Sequence, residues 1–278
     1  MKNIVIIPND NKDIELKITK KLISLLMGKA NLYMDKKYSY LESDIAFAKR
    51  EELFSCADFV IVLGGDGTIL EVSEHCGIRN IPIIGINLGR IGFMAEVDVC
   101  EMEAACNAII SGSYKIEKRM MMDVTILKDD KSYNYYALND VVVSKLDSSM
   151  VAIEIYSDNE KINEYKADGV IIATPTGSTG YSLSAGGPVA DPTMELFIAS
   201  PICAHELHAR SALMPSDKVL NISLSDELGR EAIVTLDGKV KEKICVGDKV
   251  VIKKSEYYTD IVKIKNKSFY DVLTDKLK

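Results

Sequence analysis

The stretch Leu63-Gly64-Gly65-Asp66-Gly67-Thr68 limits the fold more than any other part of the chain. Asp58-Phe59-Val60-Ile61-Val62-Leu63 runs into it, short, apolar and rich in β-branched residues, the pattern of a buried strand. Thr68 to Cys76 follows with apolar residues at helical spacing and Gly77 as a stop. A glycine-rich turn from a strand into a helix lets backbone N–H groups approach a ligand closely, and the helix start favours phosphate. The aspartate is the unusual member, because it adds negative charge where a bare phosphate cradle needs none. Two readings of Asp66 stay open at this level. It is a carboxylate working beside a phosphate, as a base or through a metal ion, or it caps the helix.

The segments around this turn repeat its alternation of strand and helix. Ile4 to Ile7 reads as a buried strand ended by Pro8-Asn9-Asp10-Asn11. Ile14, Ile18, Leu22 and Leu25 form a stripe that predicts a helix over 13–27, stopped at Gly28. The pattern then predicts a short strand at 32–34, loop at 36–45, helix at 46–54, strand at 82–87 and helix at 98–110 before Gly112. Leu88-Gly89-Arg90-Ile91-Gly92-Phe93-Met94 is a second glycine-rich turn. Such alternation implies an α/β domain with a parallel sheet, whose ligands bind beyond the carboxyl ends of the strands, where both glycine turns fall.

Near residue 119 the period changes from helical to twofold. Met120, Met122, Val124 and Ile126 alternate with other residues, Asp129-Asp130-Lys131 makes a turn, and Tyr133 to Val143 runs back. Val151, Ile153 and Ile155 alternate before a turn at Asp158-Asn159-Glu160, as do Leu220, Ile222 and Leu224, and strands are predicted at 231–236, 248–253 and 259–264. This half reads as mainly antiparallel β structure. The expected division is an α/β domain over 1–118, a β-rich domain over 119–267, and a helix over 268–278. In that helix Ser268 is the cap, and Phe269, Val272, Leu273 and Leu277 form a face that returns to the first domain.

The 278 residues, 47% hydrophobic and 27% charged, suit a soluble globular protein with ample core. A formal charge of −7 argues against nucleic acid as a partner. Cys56, Cys76, Cys100, Cys106, Cys203 and Cys245 show no C-x-x-C spacing and point to reduced thiols rather than a zinc site or disulfide framework. No apolar run reaches membrane-spanning length, and Ile4-Val5-Ile6-Ile7 is too short for a signal-peptide core, so a cytoplasmic location is expected.

The densest polar signal runs from Asp168 to Pro188. Asp168 opens a strand, Gly169 to Ala173, which empties into the Gly/Ser/Thr stretch Thr174-Pro175-Thr176-Gly177-Ser178-Thr179-Gly180-Tyr181-Ser182-Leu183-Ser184. Small hydroxyls and free N–H groups suit ribose hydroxyls and phosphates; a flexible surface loop is the plainer alternative. Asn139-Asp140 lies between apolar residues at a strand mouth, where Asn can match a base edge and Asp can accept from two ribose hydroxyls, unless the pair is an ordinary turn. His205-Glu206-Leu207-His208 lacks the spacing of a zinc helix, His75 reads as a surface or packing residue, and Lys263, Lys265 and Lys267 read as a solvated face.

Taken in order, Gly64 to Thr68, Gly85 to Phe93, Asn139-Asp140, Asp168-Gly169, Thr174 to Pro188, Pro201-Ile202-Cys203 and Asp237-Gly238 resemble the NAD kinase family over most of the chain. The stretch from Thr174 to Pro188 carries most of the specificity. The resemblance implies an α/β domain, a β-sandwich-like domain and NAD held between them. It also implies phosphoryl transfer from ATP or polyphosphate, with Mg²⁺, to the 2′-hydroxyl of the adenosine ribose, giving NADP. By the family pattern Asp66 is the proton acceptor beside Gly67, Asn139 and Asp140 hold the adenosine moiety, and Asp168 meets the nicotinamide end. Thr179, Gly180, Tyr181, Ser182, Leu183 and Ser184 line the NAD site with Lys166 near it. A homodimer or homotetramer is implied, a neighbouring subunit completing the site. Gly180 stands where many members have Ala, Lys239 where Gln is common, and Arg210-Ser211-Ala212-Leu213 is a looser form of its segment. Two other functions fit parts of the pattern. A lipid kinase shares the first glycine turn but calls for a basic, membrane-seeking surface. A protein that binds NAD without turnover would not need Asp66.

Overall fold

The computed structural model describes every residue except Glu42, Ser43, Arg90, Ile91, Asn159, Leu207, Gly229, Asn266 and Lys278, and describes only the backbone of Leu277. The readings placed on Arg90, Ile91, Asn159, Leu207 and the Leu277 side chain therefore lie outside the described residues. The chain divides into two compact units, residues 1–118 with 258–278, and residues 119–257. Residues 258–267, grouped above with the β-rich half, fall in the first unit.

In the first unit β1 (Asn3–Pro8), β2 (Asn31–Asp35), β3 (Ala46–Ala48), β4 (Phe59–Gly64) and β5 (Ile83–Asn87) form a parallel sheet in the order β3-β2-β1-β4-β5, and β6 (Val97–Asp98) pairs with β5. Every residue of β4 and β5 is buried, which is why these strands read as continuous apolar runs. The helices are α1 (Lys17–Leu26), α2 (Arg50–Leu53), α3 (Asp66–Gly77) and α4 (Met102–Ser111). Ile4, Ile6, Leu22, Leu26, Ile61, Leu63, Ile84 and Met102 share one core. The helix predicted over 46–54 is corrected: Ala46–Ala48 is an edge strand on β2, and only Arg50–Leu53 is helical. Three residues cannot signal a strand by their own pattern, so pairing with β2 decides the conformation.

The second unit holds β7 (Lys115–Lys128), β8 (Lys131–Ala137), β9 (Asp140–Lys145), β10 (Val151–Ser157), β11 (Glu160–Ala167), β12 (Gly169–Ala173), the short helix α5 (Tyr181–Ser184), β13 (Leu196–Ile202), β14 (Ala212–Pro215), β15 (Leu220–Leu224), β16 (Ala232–Leu236), β17 (Lys239–Ile244) and the start of β18 (Lys249–Lys263). One antiparallel sheet runs β14-β13-β12-β9-β16-β17, and a second runs β11-β10-β15-β18 with the β7–β8 hairpin joined through β7. A core of Met120, Ile153, Tyr165, Ile172, Phe197, Val234 and Ile252 fills it. Two predictions are corrected. Strands 248–253 and 259–264 are one strand, β18, whose end joins the first unit by pairing Ile261 with Ile83. The run 133–143 is two strands, interrupted at Leu138-Asn139. The final helix, α6 (Phe269–Leu277), belongs to the first unit, and Ser268 accepts from the Asp271 N–H at 3.1 Å as the expected cap.

Candidate functional site

In the first unit the glycine turn leaves β4 and starts α3. Gly64 has to be glycine: a Cβ there would lie 2.3 Å from Thr68 Oγ1. The N-cap of α3 is Gly65, and no side chain caps the helix. Asp66 therefore does not fill the capping role left open above. Its carboxylate instead reaches across to the second glycine turn and accepts three successive backbone N–H groups: Phe93 on Oδ2 at 2.8 Å, and Met94 and Ala95 on Oδ1 at 3.0 Å each. Gly92 makes room, since a Cβ there would stand 2.0 Å from Asp66 Oδ1. A carboxylate offers about four lone-pair positions, so one remains on Oδ2 for a further proton or donor. Phe93 also packs on Phe269 of α6 with ring centroids 5.8 Å apart, and the Lys276 ammonium stands 4.1 Å from the Phe93 centroid. Burial holds the Lys276 amine below its usual range, and the negative charge of Asp66 opposes that shift. Gly67 is the open corner of the turn, with nothing within reach of a Cβ.

In the second unit the break between β8 and β9 is the organising feature. The backbone N–H groups of Leu138, Asn139 and Asp140 donate to the Asp237 carboxylate at 2.8, 2.7 and 3.1 Å. Asp237-Gly238 is a two-residue hairpin turn between β16 and β17, with both residues at positive φ (47° and 76°), the turn type that Asp-Gly favours. The stretch after β12 folds around the same break. Thr174 N–H donates to the Asn139 carbonyl at 2.9 Å, and Thr174 Oγ1 donates to the Leu138 carbonyl at 2.6 Å. Gly177 lies so close that a Cβ would be 2.0 Å from the Asn139 carbonyl oxygen. The Gly/Ser/Thr stretch is thus ordered, not a loose surface loop. Asn139 Oδ1 and Thr176 Oγ1 are buried with no hydrogen-bond partner among the described residues.

Asp140 is buried and, unlike Asp237, its carboxylate takes no backbone donors among the described residues. Burial pushes its carboxyl up to about 7, and the neighbouring Asp237 charge adds to the shift. Burial raises Asp237 as well, while its three backbone bonds and the Lys239 ammonium pull it back. Lys239, the departure noted in the sequence, so contributes charge to this pair.

The remaining predicted residues divide into two groups. Thr179, Gly180, Tyr181, Ser182, Leu183 and Ser184 follow the ordered stretch directly, with Gly180 facing the Asn139 amide; a Cβ there would lie 3.7 Å from Nδ2. Tyr181 is exposed, whereas Ser182 is buried against Ser200 at 3.1 Å. Asp168 and Lys166 are not brought to this cluster. Asp140 pairs with Ala173 at one end of β12 and Asp168 precedes its other end, five residues away, or roughly 17 Å at strand spacing. Asp168 is paired there with Lys145 at 2.7 Å, and Lys166 with Glu227 at 2.6 Å. Sequence reasoning missed Asp237 as the anchor of Asn139-Asp140; the Asp-Gly dipeptide between two β runs was the available signal. Among the described residues no group of three His, Cys, Asp or Glu side chains is placed to hold a metal ion, and no helix is long and apolar enough to cross a membrane.

Comparison with known proteins gives one answer across the chain. The profile of the ATP-NAD kinase N-terminal domain matches residues 4–114, and that of the ATP-NAD kinase C-terminal domain matches residues 138–264. An NAD kinase of Thermoanaerobacter sp. (strain X514) is 42% identical over 281 residues, covering 100% of this chain and 99% of the relative. Among solved structures, an NAD kinase from Archaeoglobus fulgidus in complex with ATP superposes with a TM-score of 0.76 at 25% identity, covering 99% of this chain and 98% of that one. Yeast NADH kinase complexed with NADH superposes with a TM-score of 0.91 at 24% identity, covering 100% of this chain and 87% of that one.

Proposed function

The chain belongs to the NAD kinase family and phosphorylates the 2′-hydroxyl of the NAD adenosine ribose to give NADP, and from that premise we propose how its residues divide the work. Asp66 is the proton acceptor. A ribose hydroxyl is a poor nucleophile, and phosphoryl transfer rests mostly on positioning and charge neutralisation. The proton must still leave as the phosphoryl group arrives, and the free lone pair on Asp66 Oδ2 receives it. The three amides of Phe93, Met94 and Ala95 fix that carboxylate before the substrate arrives.

Asn139 and Asp140 hold the adenosine. The observation that carries this assignment is the Asp237 anchor, which fixes the backbone of both residues, while Asn139 Oδ1 has no partner among the described residues. Thr179 to Ser184, with Gly180 against the Asn139 amide, border the same ligand. Asp168 and Lys166 act at the nicotinamide end. The separation of Asp168 from Asp140 along β12 favours delivery by a second copy of the chain, in a dimer or tetramer. ATP or polyphosphate is the donor, and a divalent cation such as Mg²⁺ arrives on its phosphates. The reaction takes place in the cytoplasm, in keeping with six free thiols.

The test is direct. Purified protein incubated with NAD, ATP and Mg²⁺ yields NADP by mass spectrometry, with a lipid acceptor left unphosphorylated in the same assay. Binding of NAD without NADP would leave a nucleotide sensor, and phosphorylated lipid would favour the lipid kinase.

A further inference from the structure

The roles assigned above leave the Lys12 ammonium unused. Lys12 lies in the turn that follows β1, and that turn is tied to the glycine turn. Asn9 N–H donates to the Leu63 carbonyl at 2.8 Å, and Asn9 Nδ2 donates to Thr68 Oγ1 at 2.9 Å. The N–H groups of Lys12 and Asp13 both return to the Asn9 carbonyl, at 3.0 and 2.9 Å. The Lys12 ammonium is thereby carried over two glycines: Nζ lies 3.2 Å from where a Cβ of Gly65 would stand and 3.6 Å from where a Cβ of Gly89 would stand.

The acids of the surrounding turns are committed elsewhere. Asp10 takes the Lys37 ammonium and the Tyr38 hydroxyl, each at 2.6 Å. Buried Asp13 accepts from Ile18 N–H, Thr19 N–H and the Thr19 hydroxyl. Asp66 is taken by the amides of Phe93, Met94 and Ala95. Among the described residues the Lys12 ammonium has no ion-pair or hydrogen-bond partner. A lysine held in place by its backbone yet left without a counter-charge is arranged for an anion that is not part of the chain.

A second group belongs to the turn that carries Gly89, which Lys12 overlies. Asn87, the last residue of β5, is only 3% exposed. Its Oδ1 accepts from Gly89 N–H at 3.1 Å, while its Nδ2 is buried with no partner among the described residues. A buried donor left unbonded is costly unless an acceptor arrives. Leu88 N–H donates to the Gly64 carbonyl at 2.9 Å, which ties this turn to the first. Lys12, Asn87 and the two glycines thus share the carboxyl ends of β4 and β5, where sheets of this kind take ligands.

We propose that Lys12 and Asn87 grip the phosphate chain of the phosphoryl donor, Lys12 as a point charge over Gly65 and Asn87 as a neutral donor. The proposal rests on the kinase reading and names the side chains that hold its polyphosphate substrate. The rival source of the same chemistry is the diphosphate of NAD itself.

The experiment measures steady-state kinetics with each substrate varied in turn, and binding of inorganic tripolyphosphate without NAD. Lys12 is exposed, so Lys12→Gln folds. It raises the KM for ATP by about 10–100-fold, the loss of one charged hydrogen bond, and leaves the KM for NAD within twofold. Lys12→Arg recovers most of the loss. Asn87→Asp keeps the acceptor for Gly89 while turning an anionic oxygen toward the phosphates, and it also weakens ATP selectively. Tripolyphosphate raises the melting temperature of the wild type and not of Lys12→Gln. An unchanged KM for ATP in both variants overturns the proposal, as does a rise confined to the KM for NAD, which would give the lysine to the acceptor. If the wild type made no NADP at all, the kinase reading would fall, and the tripolyphosphate titration would still decide whether Lys12 holds polyphosphate.

Discussion

The two units use one device for different ends. In each, an aspartate beside a glycine captures three successive backbone N–H groups from a distant segment: Asp66 those of 93–95, and Asp237 those of 138–140. In the first unit the capturing acid is itself the proposed catalytic group, and the captured loop is its clamp. In the second the capturing acid is scaffold, and the captured segment carries the working residues. Asp140, which the anchor positions, bears the electrostatic burden, with a carboxyl pushed up to about 7. A carboxylate that takes three amides is held firmly, whereas one placed beside another acid, with no backbone donors among the described residues, becomes responsive to protons and ligands.

The sharpest way to break this comparison is at Asp66. Asp66→Asn removes the basic oxygen, and turnover should fall by about 10²–10⁴-fold, the usual share of general-base catalysis. The Asn amide would also set its own N–H₂ against one of the captured amides, so the melting temperature should drop. Gly92→Ala separates the two effects, because its Cβ would occupy the place of Oδ1 and evict an intact carboxylate. If the clamp matters to chemistry, Gly92→Ala loses turnover as well. Normal turnover in Asp66→Asn, measured by NADP formation, would leave Asp66 as a loop anchor alone.

The matching change in the second unit is Asp237→Ala. It strands three amides of a part-buried segment, at a cost of about 3 kcal/mol or more, and puts Ala at a positive φ of 47°. The expected result is a lower melting temperature and a higher KM for NAD, with the KM for ATP little changed. Equal weakening of both substrates would deny the anchor its specific role.

Much of this arrangement was legible in the chain. The buried strands β4, β5 and β12 announce themselves as apolar runs, and the glycine turns mark where they end. The two clamps were not legible, because each joins segments far apart in sequence: Asp66 to residues 27–29 positions on, Asp237 to residues 97–99 positions back. No local pattern encodes such a pairing. The break at Leu138-Asn139 showed in the sequence only as Asn139-Asp140 at a strand mouth; the Asp237 anchor and the close packing of Gly177 that hold it come from distant segments. Nor does the sequence by itself show that Asp140 and Asp168 stand at opposite ends of β12.

A smaller effect isolates Asp140. Asp140→Ala should weaken NAD binding by roughly 1.5–3 kcal/mol, the range for hydrogen bonds to a charged group, as read by calorimetric titration. The fold should survive and gain stability at alkaline pH, since a buried charge beside Asp237 is removed. Unchanged affinity would reduce Asn139-Asp140 to a structural break.

The smallest effect is a slope. The Asp140 carboxyl is near 3.8 in the unfolded chain and about 7 in the folded one, so between those values the folded state binds more protons than the unfolded. Stability then falls as pH rises through that window, by at most about 1.4 kcal/mol per pH unit, and levels off above about 7. NAD that donates its ribose hydroxyls to the ionised carboxylate reverses the preference, so its affinity should weaken by up to about tenfold per pH unit below 7. Denaturant midpoints and NAD titrations across pH 5–8 check both trends, and Asp140→Asn should flatten them together. Asp66 serves as the contrast, since its variant should leave both slopes in place. If the Asp140→Asn slopes matched the wild type, the proton would reside elsewhere, with Asp237 the first alternative, and the two aspartate clamps would then differ in charge.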